Sequence, residues 1–185
     1  MVIKNLMNTQ QIQLLDYLPI IADFPKPGIQ FRDISPLLGH PAAFMQAIER
    51  MATLARQCDY THLVGVESRG FLFASALALH TGKSLVLVRK PNKLPLASHQ
   101  EAYGLEYGSD ALEIQSTSLP KGSRALLIDD VLASGGTLLA TSKLVKQVGA
   151  NTIASICLLE IECLGGRAKL ENHGITSHTV LKTPS

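Results

Sequence analysis

Apolar residues in this chain come in short unbroken runs. Residues 62–66 (His-Leu-Val-Gly-Val), 84–88 (Ser-Leu-Val-Leu-Val) and 124–128 (Arg-Ala-Leu-Leu-Ile) show little polar alternation. Such runs fit strands covered on both faces, as in a parallel sheet. Between them the period changes. Phe44, Ile48, Met51 and Ala55 share one helical face after Pro41, which suits a first helical turn. Residues 71–80 form an apolar helical stretch that ends at Gly82. Leu138, Thr141, Val145 and Val148 mark a helix over 138–148, stopped by Gly149. A short helix is predicted around Ile12, Leu14, Leu15 and Leu18 and another near 166–171. Further strands are predicted at 110–115, 152–159 and 175–181. Strands alternating with helices predict an α/β fold: an open, mainly parallel twisted sheet flanked by helices.

Two stretches break the pattern. Residues 24–39 carry three prolines and two glycines and read as a structured loop. Residues 91–109 carry Pro91, Pro95, Gly104 and Gly108 and are long for a connection, which marks a lid loop. There is no internal repeat, low-complexity tract or linker, so residues 1–185 read as a single domain.

Composition narrows the classes. A length of 185 residues suits one domain with a sizeable core. With 46% hydrophobic and 17% charged residues the chain reads as globular, and a net charge of +2 is too small to argue for nucleic acid. No apolar stretch approaches membrane-spanning length, and no secretory signal pattern is present. Cys58, Cys157 and Cys163 form no close pair, which suggests neither zinc nor a disulfide framework. A reduced, cytoplasmic protein is the expectation. The six histidines show no metal spacing.

The chemistry gathers where strands end. The run 124–128 stops at Asp129 and Asp130, where open α/β sheets bind ligands. Ala133, Ser134, Gly135, Gly136 and Thr137 follow, and then a helix begins. Carboxylates accept hydrogen bonds from sugar hydroxyls. The small turn lets backbone N–H groups approach a phosphate at the positive end of the helix. Glu67-Ser68-Arg69-Gly70 and Arg89-Lys90 stand at equivalent strand ends, with Lys93 close by. In a parallel sheet these ends share one edge, and Arg69 there suits a forked grip on a diphosphate. In the lid, Glu106 lies between Leu105 and Tyr107. Two readings stand for it: an acid or base with a raised pKa, or a surface glutamate in a hairpin. Phe31 has two readings as well, a stacking platform for a flat base or a hydrophobic staple; pattern alone favours the staple.

The segment 126–137 (Leu-Leu-Ile-Asp-Asp-Val-Leu-Ala-Ser-Gly-Gly-Thr) closely resembles the phosphoribosyl pyrophosphate signature of the type I phosphoribosyltransferases. Residues 24–38, Glu67 to Phe71, Arg89 to Pro95 and residues 103–114 resemble the adenine-specific branch of that family. The blocks lie in the family's order and cover about residues 20–165. The resemblance implies the type I fold with a flexible lid or hood. It implies purine salvage, in which adenine and phosphoribosyl pyrophosphate give AMP and pyrophosphate. Mg2+ would be carried by the substrate, with no direct protein ligand, and the protein would be a homodimer.

Carried over onto this sequence, Asp129 and Asp130 would hold the ribose hydroxyls, and Ala133 to Thr137 would wrap the 5′-phosphate. Glu67, Ser68 and Arg69 would form the pyrophosphate loop, which in this family often contains a non-proline cis peptide. Arg89, Lys90 and Lys93 would meet pyrophosphate from their own or a partner subunit. The segment 1–35 would contribute to the base site, with Gln30, Phe31 and Arg32 holding adenine. Glu106 would be the catalytic acid or base near N7 of the purine, with Tyr107 beside it in the lid. Residues 96–102 depart from the family's lid sequence, which leaves the role of His99 open. Competing readings are an enzyme for hypoxanthine, guanine or xanthine, a non-catalytic nucleotide sensor, and a scaffold with a relic site.

Overall fold

The computed structural model describes residues 12–96, 98–105 and 108–184. The chain divides into two compact units, Met1–Glu49 and Arg50–Ser185.

In the first unit, a 3-10 turn over Leu14–Tyr17 precedes β1 (Ile20–Ala22) and β2 (Gln30–Arg32). The two strands pair antiparallel, with Ile21 opposite Phe31. Asp23 Oδ1 accepts the Gly28 N–H at 2.7 Å across the connection, which contains a cis Phe24–Pro25 bond. Residues 24–39, read from sequence as a loop, therefore hold a strand and the single turn α1 (Ser35–Leu38). Asp33 Oδ1 starts that turn by accepting the Ser35 N–H at 2.9 Å and its hydroxyl at 2.6 Å. Helix α2 (Pro41–Ala55) follows, with its residues from Arg50 on counted in the second unit. It buries Ala43, Ala47, Ile48, Met51, Ala52 and Ala55, and the predicted Phe44 is only half-buried at the edge of that stripe.

In the second unit, β3 (His62–Val66), α3 (Gly70–Thr81) and β4 (Ser84–Val88) are followed by β5 (Ser98–Leu105) and β6 (Gly108–Gln115). Then come β7 (Arg124–Leu132), α4 (Gly136–Gln147), β8 (Asn151–Ile161), α5 (Gly166–Glu171) and β9 (Thr176–Thr183). Five strands form one parallel sheet in the order β4-β3-β7-β8-β9. Alternation along each strand sends side chains to two faces. Val64, Val66, Val86, Val88 and Leu127 join Leu138, Leu144 and Val145 of α4 in one apolar cluster. On the other face Gly65 leaves room for α3, since a Cβ there would lie 2.9 Å from Ala74 Cβ and 3.3 Å from a Phe71 ring carbon. Each fully buried aliphatic side chain contributes about 1.5–3 kcal/mol.

The loop predicted over 91–109 is corrected in part. Over 98–105 the segment is a strand of an antiparallel hairpin with β6, in register from Ser98 opposite Gln115 to Leu105 opposite Gly108. Leu112 and Ile114 anchor β6 in the core. Backbone bonds between Arg89 and Glu113, at 2.9 and 2.7 Å, tie the hairpin to the end of β4. Among the described residues no helix is long and apolar enough to cross a membrane.

Candidate active site

The acid pair lies inside β7, where sequence reading had the strand stop before it. The cause is an offset between neighbours. β3 pairs with β7 only as far as Gly65 opposite Ile128, whereas β8 accompanies β7 to Leu132 opposite Glu160. Asp129 and Asp130 therefore stand just past the end of β3, rigidly held yet beside the turn that leaves it.

That turn meets the acids closely. Residues 67–69 link β3 to α3, and the Glu67–Ser68 peptide bond is cis, as the family resemblance implied. A Cβ on Gly70 would lie 2.8 Å from Ile128 O and 3.0 Å from Asp129 Oδ1. Only a hydrogen lets α3 begin this near β7. Arg69 Nε lies 2.9 Å from Asp130 Oδ2; the Asp130 side chain is only 4% exposed, that of Arg69 37%. Asp129 Oδ1 accepts the N–H of Asp130 at 2.9 Å. Burial pushes the Asp129 carboxyl well above the ordinary range, and the neighbouring Asp130 charge adds to the rise. Asp130 is also raised, by burial, but the Arg69 guanidinium opposes the shift.

Past the acids, the chain turns through Gly135 at φ 73° and starts α4 at Gly136, with no side chain capping the first N–H groups. Uncapped N–H groups at a helix start are an anion-binding arrangement. Tyr103 of the hairpin lies over this turn, its ring 3.7 Å from a Cβ position on Gly136. The Tyr103 hydroxyl donates to Asp110 Oδ2 at 3.4 Å. Burial raises the Tyr103 pKa against the opposing effect of a hydrogen bond with Thr137. The hairpin is held to α4 by Glu101, which accepts from Lys143 Nζ at 2.7 Å and from Gln147 Nε2 at 3.1 Å.

Of the cations after β4, Arg89 and Lys90 are engaged within the fold. Glu67 Oε2 accepts from Arg89 Nε at 3.1 Å and from the Lys90 N–H at 2.7 Å. Arg89 also donates to Lys93 O at 3.2 Å and lies 5.8 Å from the Phe71 ring centroid. Lys90 Nζ reaches Asp110 at 3.1 Å, and that hydrogen bond raises its pKa. Lys93 is exposed.

Of the predicted site residues, the second unit thus gathers Glu67 to Arg69, Asp129, Asp130 and the 133–137 turn, with Arg89 and Lys90 tied to Glu67. Gln30, Phe31 and Arg32 form β2 of the first unit. There the Phe31 ring packs edge-on against Phe24 at 5.1 Å, and Arg32 Nη1 donates to Leu18 O at 3.1 Å. Glu106 and Tyr107 lie outside the described residues. Sequence reading missed Tyr103 and the spacing role of Gly70. Gly70 was visible as the glycine opening a helix after a polar turn; Tyr103 was visible only as the start of the 103–114 block, because its register with Asp110 comes from hairpin pairing.

Comparison with known proteins agrees with this geometry. The phosphoribosyl transferase domain family matches residues 35–175. An adenine phosphoribosyltransferase of Polynucleobacter necessarius is 58% identical over 172 residues, which span 93% of this chain and all of the relative. The crystal structure of adenine phosphoribosyltransferase from Thermoanaerobacter pseudethanolicus superposes with a TM-score of 0.88 at 39% identity, covering 92% of this chain and 98% of the other. The enzyme from Saccharomyces cerevisiae, complexed with an imino-altritol bisphosphate and adenine, has a TM-score of 0.83 at 37% identity, covering 91% and 96%. With the acid pair, the arginine turn and the uncapped helix start in one place, and with relatives matched over nearly their whole length, this chain belongs to the adenine phosphoribosyltransferases of the phosphoribosyl transferase domain family.

Proposed function

We infer that the chain transfers the 5-phosphoribosyl group of phosphoribosyl pyrophosphate to adenine, giving AMP and pyrophosphate in purine salvage. The observation that carries this reading is the convergence of Asp129, Asp130, Arg69 and the open start of α4 at the end of β3 and β7. The N–H groups of 133–137 receive the 5′-phosphate, and the hydroxyls of Ser134 and Thr137 add donors. Asp129 and Asp130 hold the ribose hydroxyls. Glu67, Ser68 and Arg69 cradle pyrophosphate, joined by Arg89, Lys90 and Lys93.

In the reaction the bond from ribose C1 to pyrophosphate breaks, and the leaving group takes the electron pair. N9 of adenine then bonds to C1. Glu106, with Tyr107 beside it, manages the proton at N7. Gln30, Phe31 and Arg32 hold the base. Preorganised cations stabilise the departing charge, and a covered site keeps water from the sugar cation. Mg2+ comes with phosphoribosyl pyrophosphate and takes no direct ligand from the protein; bound with the substrate, that ion would supply charge neutralisation of the leaving pyrophosphate.

Residues 1–185 act as a single phosphoribosyltransferase domain. The chain works as a homodimer. Helix α3 presents exposed Leu72 and Leu79, and the edge strand β4 presents Leu87, an apolar face suited to a second copy. The three cysteines are free thiols, which suits a reducing cytoplasm.

Incubating a panel of purine bases with phosphoribosyl pyrophosphate and magnesium tests the reading. AMP from adenine, with no nucleotide from guanine, hypoxanthine or xanthine, is expected. Preferential product from a 6-oxopurine would overturn the base assignment.

A further inference from the structure

The turn that receives phosphate is shaped by a residue outside the signature. Ala133 O and the Gly135 backbone press against Gly166, the first residue of α5. A Cβ on Gly166 would overlap Ala133 O and lie 2.9 Å from Gly135 N and 2.9 Å from Leu132 Cδ1. The contact is reciprocal, since a Cβ on Gly135 would lie 2.9 Å from Gly166 O and 3.2 Å from Gly166 Cα. Two bare backbones meet face to face here. Gly165 contrasts with its neighbour: it takes a left-handed φ of 68°, but a Cβ there meets nothing within 4 Å.

The start of α5 is itself pinned. Arg167 forks onto Glu160 of β8, with Nε at 2.8 and 3.1 Å from the two carboxylate oxygens and a further bond from Nη2. It also donates to Ser177 O and, at 3.1 Å, to Thr179 Oγ1 of β9. Glu160 is 4% exposed, and the Arg167 hydrogen bonds hold its pKa below the ordinary range. Such a forked, satisfied pair fixes position more firmly than a surface ion pair does. Lys182 Nζ, at 3.7 Å from Glu160, adds charge but no fork.

We propose that Gly166 is a positioning residue for the 5′-phosphate turn, held against the Ala133–Gly135 backbone by the Arg167–Glu160 clamp. This rests on the assignment of the 133–137 turn to the 5′-phosphate. The bare Cα face sets how far the turn can retreat, and so where its N–H groups point. Displacing them by a fraction of an ångström misaligns the sugar phosphate without touching the base or pyrophosphate.

The test compares purified variants by steady-state kinetics, thermal melting and calorimetric binding of ribose 5-phosphate. Gly166→Ala is expected to raise KM for phosphoribosyl pyrophosphate about tenfold or more, because small misplacements of a bound group have large kinetic effects. KM for adenine stays within about twofold, and ribose 5-phosphate binding weakens in parallel with the first change. Gly165→Ala is expected to lower the melting temperature while leaving both KM values in place. Arg167→Lys, which keeps the charge and loses the fork, gives the same selective change at about threefold and covers the case in which Gly166→Ala does not fold. Equal losses for both substrates in Gly166→Ala, or an unchanged KM for phosphoribosyl pyrophosphate, would overturn the proposal. Thr137→Ala separates the two levels. If it weakens ribose 5-phosphate binding while Gly166→Ala and Arg167→Lys do not, the positioning role falls and the turn assignment survives. If Thr137→Ala leaves that binding intact, the assignment of the turn falls and the proposal with it.

Discussion

At the scale of single residues, the acid pair carries opposite demands. Asp130 has Arg69 beside it, while Asp129 is half-buried next to a like charge and is raised well above the ordinary range. Between the unfolded carboxyl value, about 4, and the higher folded value, the folded chain keeps a proton that the unfolded chain releases. The contribution of Asp129 to stability is therefore full below the unfolded value and is lost as pH rises through the folded one. Asp129→Asn is expected to raise the melting temperature at pH 7 relative to the parent, to narrow the difference toward pH 4, and to weaken phosphoribosyl pyrophosphate binding. Melting curves across pH decide this; a lower melting temperature at pH 7 would contradict it. For Glu106→Gln the expectation is a fall in kcat of about a hundredfold with adenine KM little changed. Turnover within twofold of the parent would remove its role in proton transfer. The acids and the Ser-Gly-Gly-Thr turn were legible in sequence because their chemistry is local. The Arg69–Asp130 pair and the Gly166 contact were not, because the partners meet only when β3, β7 and α5 come together.

Element by element, legibility followed periodicity. The runs at 62–66 and 84–88 became strands with the predicted bounds, since unbroken apolar sequence is enough for a parallel strand; β3 is buried as predicted, whereas β4, at the sheet edge, leaves Leu87 exposed. Strand β6 was visible through Leu112 and Ile114. Strand β5 was not, because Ser98, His99, Gln100 and Glu101 carry no apolar face and take their register from β6. The hairpin depends on a polar attachment, with Glu101 accepting from Lys143 and Gln147 of α4 and Tyr103 resting over the turn. Glu101→Ala is expected to lower stability by only about 1 kcal/mol, as for other partly exposed pairs, and to raise KM for phosphoribosyl pyrophosphate several-fold. Kinetics set beside chemical denaturation separate the two effects. A variant with unchanged KM would show that this attachment does not serve the site.

For the whole molecule, the sheet order β4-β3-β7-β8-β9 places the ends of β3, β4 and β7 on one edge, and the site follows from that order. It also leaves β4 at a sheet border with Leu87 exposed, beside a helix apolar on nearly every side. Leu79→Glu is expected to give a monomer by light scattering and to reduce turnover; a dimer of unchanged activity would refute that face as the interface. The most direct measurement is a crystal structure of the protein grown with AMP. The 5′-phosphate is expected against the N–H groups of 133–137 and the ribose hydroxyls against Asp129 and Asp130. A nucleotide bound elsewhere, with that turn free of phosphate, would contradict it.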